Sequence, residues 1–376
     1  MEEWIKCPLG DILNFRRGHD LPKTSMVPGD IPVAGSNGII GFHNVSTPIS
    51  PCITIGRSGN VGTPYIYDIC WAHNTVLYID DYKGNDPKYL YYLLKTLPLA
   101  SFGGGSAVPT LNRNHIHPME VIFCKDTELQ KKIAGILSKI DDKIELNRQI
   151  NDNLEQQAQA LYKSWFVDFE PFKDGEFIES ELGQIPEGWQ CIPFSMFVSE
   201  SKAKTGKIGI KEYSVTNNGI FPRDAKYNKS LSQSSTKNKL ILYGDLVFGM
   251  SRDILNWGVM QEEQGGVSSA YTVYNINSGI VNSTYLELFI KSRIHLFSDL
   301  IRPAAREGQG IDKSVLQTKV LLCPPQEVLD TFWPLYNSVT NQIQRTTTEI
   351  NFLGDVRDTL LPKLMSGELK INEIDC

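Results

Sequence analysis

Residues 129–165 read LQKKIAGILSKIDDKIELNRQINDNLEQQAQALYKSW, and the spacing of their apolar side chains organises the rest of the chain. One row of residues spaced seven apart consists of Ile133, Ile140, Asn147, Leu154 and Leu161. A second row, offset by four, consists of Leu137, Ile144, Asn151, Ala158 and Trp165. Two such rows form one seam along a straight helix. At ~1.5 Å per residue, the stretch predicts a helix of roughly 55 Å.

The same seam occurs again 199 residues later. Its rows are Phe332, Val339, Thr346, Leu353 and Leu360, and Tyr336, Ile343, Ile350, Arg357 and Leu364. Two long helices with matched seams can bury them against each other. The alternative is two separate helices that cover separate cores. An asparagine at a seam position sets the register at some cost in stability, and we expect Asn147 to do so.

Two prolines interrupt the second copy, Pro334 early and Pro362 late. A proline inside a helix removes a backbone hydrogen bond and clashes with the preceding turn, so each should kink or end the helix. The continuous seam is therefore expected from Leu335 to Leu361. Gly135 is the counterpart of Pro334, and both copies are weak at the same point.

The repeat extends beyond the helices. Trp4 and Pro8 return as Trp189 and Pro193, and a short helical pattern at 87–97 returns at 281–292. Short β-branched and aromatic runs separated by Gly, Asn and Asp predict strands in each copy. They are 52–55, 63–67 and 75–79, then 240–243, 246–248 and 271–274. Each copy is therefore expected to be a mainly-β globule followed by a long helix.

Composition excludes several classes of protein. No segment approaches the ~18 uninterrupted apolar residues of a membrane helix, and the N-terminus lacks the basic and apolar regions of a signal peptide. Seven scattered cysteines, none in a Cys-x-x-Cys pair, favour reduced thiols in the cytoplasm over a disulfide framework or a zinc site. The excess of acidic residues behind the net charge of −6 lies in the helical segments. Residues 183–325 carry a net charge of +4, and residues 1–125 are neutral. Anion binding by the globules remains open.

Evidence for catalysis is weak. His115 and His117 form the one close histidine pair, but Ser314 and Leu316 replace them in the second copy. The stretch 56–62, GRSGNVG, resembles a phosphate-binding loop but lacks the lysine and the spacing of known phosphate-binding motifs, so a turn is the favoured interpretation. No Asn/Asp-Pro-Pro-Tyr/Phe pattern or nucleophile elbow is present. We expect neither catalytic residues nor a metal in this chain.

Each globule instead offers Gly-rich loops with Arg, Lys, Asn and Ser, which suit guanine, adenine and phosphate. For any single loop, a solvated turn remains the alternative. The candidates in the first copy are Arg16, Arg17, His19, Ser36, Asn37, Arg57, Ser58, Asn60, Asn112 and Arg113. Those in the second copy are Lys202, Lys204, Lys207, Asn217, Asn218, Arg223, Lys226, Lys229, Ser251, Arg252, Arg306 and Gln309. Different loops on a shared framework suggest two modules that read two targets.

Several strings resemble the specificity (S) subunit of type I restriction-modification systems. They are PVAGSNG at 32–38, ITIGRSGNVG at 53–62, IELNR at 144–148, KSWFVDF at 163–169, IPEGW at 185–189 and LLPKLMSG at 360–367. The resemblance implies an α+β chain of two mainly-β globular domains, each followed by a long helix, with the helices packed as an antiparallel coiled coil and pseudo-twofold symmetry. Its segments would be a first target recognition domain (1–126), a helix (127–170), a connector (171–188), a second target recognition domain (189–325), a second helix (326–366) and a tail (367–376).

The resemblance also implies a function. Each globule would read half of a bipartite site in double-stranded DNA, and the helices would set the gap and dock two methyltransferase subunits. S-adenosylmethionine would enter with those subunits, which methylate adenine N6. ATP and Mg would belong to restriction subunits where these join. The chain would need no cofactor of its own and no membrane. The alternative is a two-headed, non-enzymatic scaffold that binds proteins or glycans, which the acidic total charge favours slightly.

Overall fold

The computed structural model describes residues 4–103, 110–223, 231, 235–251, 253–301 and 310–371. Its contacts divide the chain into two compact units. The first unit consists of Met1–Asn153 with Gln342–Cys376, and the second consists of Leu154–Asn341. Each unit therefore combines one β-rich segment with part of each long helix. The domain boundaries predicted from the sequence stay predictions.

Within the described residues, nine strands and three short α-helices precede the first long helix. They are β1 Trp4–Pro8, α1 Leu9–Ile12, β2 Asn14–Arg17, β3 Ile31–Gly35, β4 Gly38–His43, β5 Cys52–Gly56, β6 Pro64–Tyr67, β7 Trp71–Ala72, β8 Val76–Asp81, α2 Pro87–Thr96, α3 Arg113–Ile116 and β9 Glu120–Cys124. The long helix α4 is Thr127–Phe166. The prediction of strands at 52–55, 63–67 and 75–79 and of a helix from residue 87 is confirmed.

The second half of the chain follows the same plan. It contains β10 Phe177–Ser180, β11 Gly183–Pro186, β12 Gln190–Pro193, β13 Val198–Ser201, β14 Tyr213–Thr216, β15 Gly219–Pro222, β16 Lys239–Leu242, β17 Leu246–Phe248, β18 Trp257–Val259, β19 Gln264–Val267, β20 Thr272–Ile276, α5 Ser283–Ser292, α6 Lys313–Thr318, β21 Val320–Cys323 and α7 Gln326–Ser366. The predicted connector thus contains an antiparallel hairpin of β10 and β11.

The repeat in the sequence corresponds to a repeat in sheet topology. The first unit contains an antiparallel sheet in the order β2-β8-β5-β6, and the second contains one in the order β13-β20-β17-β18. In both, a separate pair joins the first strand of the copy to the last, β1 to β9 and β12 to β21. The first unit adds a sheet in the order β4-β3-β7, in which β3 and β7 run parallel.

The two long helices pack against each other in an antiparallel direction within the first unit. Arg357 Nη1 donates to Asp141 Oδ1 at 2.7 Å, and Asn151 Nδ2 donates to Thr347 Oγ1 at 3.0 Å. Residue numbers rise along α4 as they fall along α7. The alternative of two helices covering separate cores is therefore wrong.

In the second unit, the same two helices meet through aromatic side chains. The Phe332 ring centroid lies 4.7 Å from that of Phe166 and 5.7 Å from that of Trp165. Phe166 and Phe332 are fully buried. A cluster of this kind contributes both buried area and edge-to-face ring contacts.

The predicted seam lies inside the helix pairing. Ile133, Leu137, Ile144 and Asn147 are buried. The other predicted seam residues are half-buried, namely Ile140, Leu154, Leu161, Trp165, Val339, Ile343, Ile350, Leu353 and Leu360. Asn147 is only 1% exposed, and its Nδ2 has no hydrogen-bond partner among the described residues. A buried polar group of this kind costs stability, as expected for a residue that fixes register.

Of the two expectations for Pro334 and Pro362, that each kinks or ends the second helix, an end is wrong, and a kink stays a prediction. The helix α7 runs from Gln326 to Ser366 through both residues. Phe332 and Leu364, outside the predicted limits of the seam, are fully buried. Each proline removes one backbone hydrogen bond, and burial of these flanking side chains offsets that loss.

Replacing Pro334 by alanine should stabilise the chain. Pro334 is exposed and lies in the third turn of α7, so alanine restores a backbone N–H without loss of packing. Because proline in a helix interior costs ~3 kcal/mol relative to alanine, we expect the free energy of unfolding in urea to rise by about 1–3 kcal/mol. Pro362→Ala, in the last helical turns, serves as the control and should have a smaller effect. An unchanged free energy for Pro334→Ala would contradict an unbroken helix.

The expectation that all cysteines are reduced is wrong for one pair. Cys52 and Cys70 form a disulfide, with Cα atoms 6.1 Å apart, and both are fully buried. No sequence pattern predicts this pair, because the segments around β5 and β7 meet only in the folded unit. Among the described cysteines, Cys7, Cys124, Cys191 and Cys323 form no disulfide.

Candidate nucleic-acid interface

Four arginines of the first unit line one open cleft of about 400 Å³. We call Arg16, Arg17, Arg57, Arg113 and Asn112 the arginine cleft. Leu77, Thr110 and Leu111 complete its wall, and none of the described lining residues is acidic. All five named residues were predicted as candidates from the sequence, but from three separate loops. The fold brings them together on one surface of net positive charge.

Sheet register places two of these arginines beside the third. In β2, Arg16 lies opposite Tyr78 of β8 and Arg17 lies opposite Leu77. On the other side of β8, Ile55 also lies opposite Leu77, and Gly56 lies opposite Val76. Arg57 follows β5 directly, so it emerges level with the end of β2. Burial raises the pKa of the Tyr78 hydroxyl, while the charge and hydrogen bond of Arg16 lower it.

The short helix α3 supplies the remaining side of the cleft. Asn112 caps this helix, its Oδ1 accepting from Asn114 N at 3.0 Å. Arg113 Nη1 donates to Phe15 O at 3.1 Å, which fixes the start of α3 against β2. His117 Nε2 accepts a hydrogen bond from Phe15 N at 3.1 Å, and burial lowers the pKa of His117. His117 therefore has a structural role, because its ring accepts a hydrogen bond from the backbone of β2.

The Gly-rich stretch 56–62 forms a tight turn, which is the interpretation that the sequence favours. Gly62 N donates to Gly56 O at 2.8 Å, and Thr63 Oγ1 donates to Asn60 Oδ1 at 3.1 Å. A Cβ added at Gly56 would lie 1.7 Å from Asn60 O, so only glycine fits. A Cβ added at Gly59 would lie 3.4 Å from Ser36 Oγ. The turn that carries Ser36 and Asn37 therefore abuts the loop that carries Arg57, Ser58 and Asn60.

His19 lies in a packed cluster of rings beside this surface. Its ring centroid is 5.5 Å from that of Trp71 and 5.7 Å from that of Tyr78. Its backbone N donates to Ala72 O at 2.7 Å. The half-buried His19 thus supports the sheet, and the arginine cleft does not include it.

In the second unit, the equivalent positions carry different chemistry. Glu200 of β13 lies opposite Tyr274 of β20, as Arg16 lies opposite Tyr78. Phe248, the last residue of β17, lies opposite Thr272, so the residue at the Arg57 position is Gly249. Lys313 begins α6 where Arg113 begins α3. The sequence analysis singled out neither Glu200 nor Lys313, because only sheet register shows their equivalence.

A lysine cluster surrounds Glu200. Lys313 Nζ donates to Glu200 Oε1, and this hydrogen bond lowers the pKa of Glu200. Burial lowers the pKa of Lys239, and the charges of Lys313 and Lys202 lower it further. The backbones of Lys204 and Lys239 pair in an antiparallel β-bridge. The second unit therefore has both a carboxylate and ammonium groups on this surface, whereas the charged groups of the arginine cleft are all guanidinium groups.

The other candidates of the second unit lie elsewhere on it. Lys207 is exposed, and Asn217 and Asn218 form the exposed tip between β14 and β15. Arg223 Nη1 donates to Ser214 Oγ at 2.8 Å. Ser251 Oγ accepts from Asn256 N at 2.9 Å and closes a local turn. Five candidates lie outside the described residues, namely Lys226, Lys229, Arg252, Arg306 and Gln309.

None of the helices built from described residues is long and apolar enough to cross a bilayer. Within the same residues, no group of three or more His, Cys, Asp or Glu side chains is placed to hold a metal ion.

The comparisons with known proteins agree with each other. The family model for the type I restriction modification DNA specificity domain matches residues 1–156. The type I restriction enzyme MjaIX specificity subunit of Methanocaldococcus jannaschii is 29% identical over 307 residues, which cover 76% of this chain and 70% of that protein. The type I restriction enzyme HindI specificity subunit of Haemophilus influenzae is 65% identical over 48 residues, 13% of this chain and 10% of that protein.

A solved structure shares the fold across the whole chain. The crystal structure of a type I restriction-modification system S subunit from M. genitalium superposes with a TM-score of 0.58 at 14% identity. The match covers 96% of each chain. It therefore includes both β-rich segments and both long helices.

Proposed function

We propose that this chain is a specificity subunit of a type I restriction-modification system, which its similarity to that family supports. Its two β-rich segments would read the two halves of a bipartite site in double-stranded DNA. Segments 1–126 and 189–325 would each read one half, and α4 with α7 would set the gap between the halves. The observation that carries this proposal is the arginine cleft. We place this activity in the cytoplasm, where the host DNA lies.

The arginine cleft has the electrostatics of an anion site. Burial, and then the nearby charge of Arg17, lower the pKa of Arg57, so the fold holds these cations together at a cost. Bound phosphate or guanine would offset that cost, because arginine binds phosphate and the O6 and N7 edge of guanine through paired hydrogen bonds. Duplex DNA presents both groups, and the net charge of the whole chain does not oppose such local binding.

The second unit supports a second reader with a different target. Its lysines Lys202, Lys204 and Lys207 are exposed and suit phosphates. Glu200 occupies the position of Arg16, and a carboxylate accepts from the amino group of cytosine where arginine donates to guanine. The two units therefore favour unlike half-sites.

Exposed apolar side chains on the long helices support a docking role. In the first unit, Leu146 and Ile150 of α4 and Phe352 of α7 are exposed. Leu146 and Phe352 lie between the Asp141–Arg357 and Asn151–Thr347 contacts, so they are at the same level of the helix pair. We infer that two methyltransferase subunits dock on the helices and bring S-adenosylmethionine for methylation of adenine N6. Restriction subunits with ATP and Mg would complete a cleaving complex, and this chain would catalyse nothing.

Replacing Phe352 by aspartate should weaken that association. The side chain is 64% exposed, so its loss leaves the core intact. Because buried aromatic anchors at interfaces contribute ~2 kcal/mol or more, we expect the Kd for the methyltransferase subunit to rise about 30-fold by calorimetry. Met196→Asp, at a side chain that is 62% exposed in the second unit, is the matched control and should leave the Kd unchanged. Equal affinities for both variants would show that the partner docks elsewhere.

Filter binding to duplex DNA tests the proposed function directly. The chain with its methyltransferase partner should retain DNA, and retention should fall steeply as salt rises, because phosphate contacts release counterions. A complex that retains no DNA even at low salt would favour the alternative of a scaffold for proteins or glycans.

A further inference from the structure

The backbone of Arg57 is held by a hydrogen bond on each side. Its N donates to Thr75 O at 2.8 Å, and its O accepts from Leu111 N at 2.7 Å. The preceding Gly56 packs against Asn60 so closely that no side chain fits there. The Cα of Arg57 is therefore fixed on both sides. Sites that must match a ligand closely are built on such rigid positions.

The guanidinium groups also differ in their protein partners. Arg113 Nη1 donates to Phe15 O at 3.1 Å, and Arg17 Nη2 lies 3.7 Å from Asp20 Oδ1. Arg16 interacts with the Tyr78 hydroxyl. For Arg57, the contact found among the described residues is the long one of 3.5 Å from Nη1 to Asn74 O. The guanidinium group of Arg57 has five N–H donors, and within the described part of the chain most of them have no acceptor.

The arrangement separates two tasks that arginines perform on DNA. Exposed arginines such as Arg16 and Arg17 at the edge of the cleft suit phosphates, which lie on the outside of the duplex. Arg57 is half-buried at the end of β5 and is held rigidly, which suits a base edge that must be met in one geometry. Arginine meets guanine through O6 and N7 in the major groove, and this pairing excludes the other three bases.

We propose that Arg57 reads one guanine in the half-site recognised by residues 1–126, while the other cleft arginines hold the phosphates. The proposal rests on the proposed function and adds the residue and the base that determine specificity. Gly249 occupies the Arg57 position in the second unit, so the other half-site is read without an equivalent contact.

Mapping of methylated adenines in cells that carry Arg57 variants tests the proposal. With Arg57→Ala, we expect one guanine of one half-site to become any base, with discrimination at that position falling about 10-fold or more. Arg57→Gln should shift the same position towards adenine, because glutamine pairs with adenine N6 and N7. The second half-site and the gap should not change.

Arg17→Gln is the contrasting variant. Loss of a phosphate contact should lower methylation equally at all sites and leave the motif unchanged. The proposal is overturned if both Arg57 variants behave like Arg17→Gln, or if the half-site lost on replacement of residues 1–126 contains no guanine. A wild-type complex that methylates no specific sequence would instead overturn the proposed function. Equal melting temperatures for wild type and Arg57→Gln establish that folding is intact.

Discussion

Replacing Arg16, Arg17 and Arg113 by glutamine is expected to lower the affinity of the complex for its DNA site by on the order of 10³-fold. Hydrogen bonds to charged groups contribute about 1.5 kcal/mol each at the low end, and three such contacts would be lost. The three side chains line one cleft with no acidic residue among its described lining residues. The slope of log K against log salt should fall by about 3, one for each lost phosphate contact.

A matched triple variant separates local from overall charge. Lys6, Lys23 and Lys132 are exposed cations outside the arginine cleft, and their replacement by glutamine removes the same three charges. Fluorescence anisotropy with a labelled duplex, at four salt concentrations, should show a small loss for this control. Equal losses for the two triple variants would mean that the arginine cleft has no special part in binding DNA.

Shortening both long helices by one heptad is expected to shorten the gap in the recognised DNA site by about three base pairs. Seven helical residues span ~10 Å, and successive base pairs rise by 3.4 Å. The segments to delete are 148–154 of α4 and 344–350 of α7. Asn151 and Thr347, which share a hydrogen bond of 3.0 Å, lie at their centres, so the remaining seam residues stay in register.

Deleting 148–154 alone provides the control for this experiment. It shifts the seam of α4 against that of α7 and should abolish the stable complex. Residues of α4 before the deletion, such as Asp141 opposite Arg357, and residues after it can no longer pair with α7 in one common register. Methylation mapping of the paired deletion then gives the new gap. An unchanged gap would show that the helices do not set the spacing.

The long helices could be predicted from the sequence because the seven-residue spacing of their apolar side chains can be recognised without knowledge of the rest of the fold. Their ends could not, since a proline ends an isolated helix but not one whose flanking residues are buried. Phe332 and Leu364 show this, for they are fully buried beside Pro334 and Pro362. The short strands were also predictable, because β-branched runs bounded by glycines are typical of strands.

The candidate site was predictable in its residue types but not in its assembly. Arg16, Arg57 and Arg113 come from three distant segments, and their meeting depends on the register of β2 and β5 on the two sides of β8. Sequence patterns carry no information on such register. The same limit concealed the disulfide of Cys52 with Cys70 and the position of Glu200.

Mapping of modified adenines across the genome of cells that express this chain with its methyltransferase partner tests the central claim most directly. Two unlike readers joined by paired helices predict a bipartite motif, with two short specific parts separated by a gap of fixed length and unspecified sequence. A single continuous motif, or methylation without sequence preference, would contradict the account.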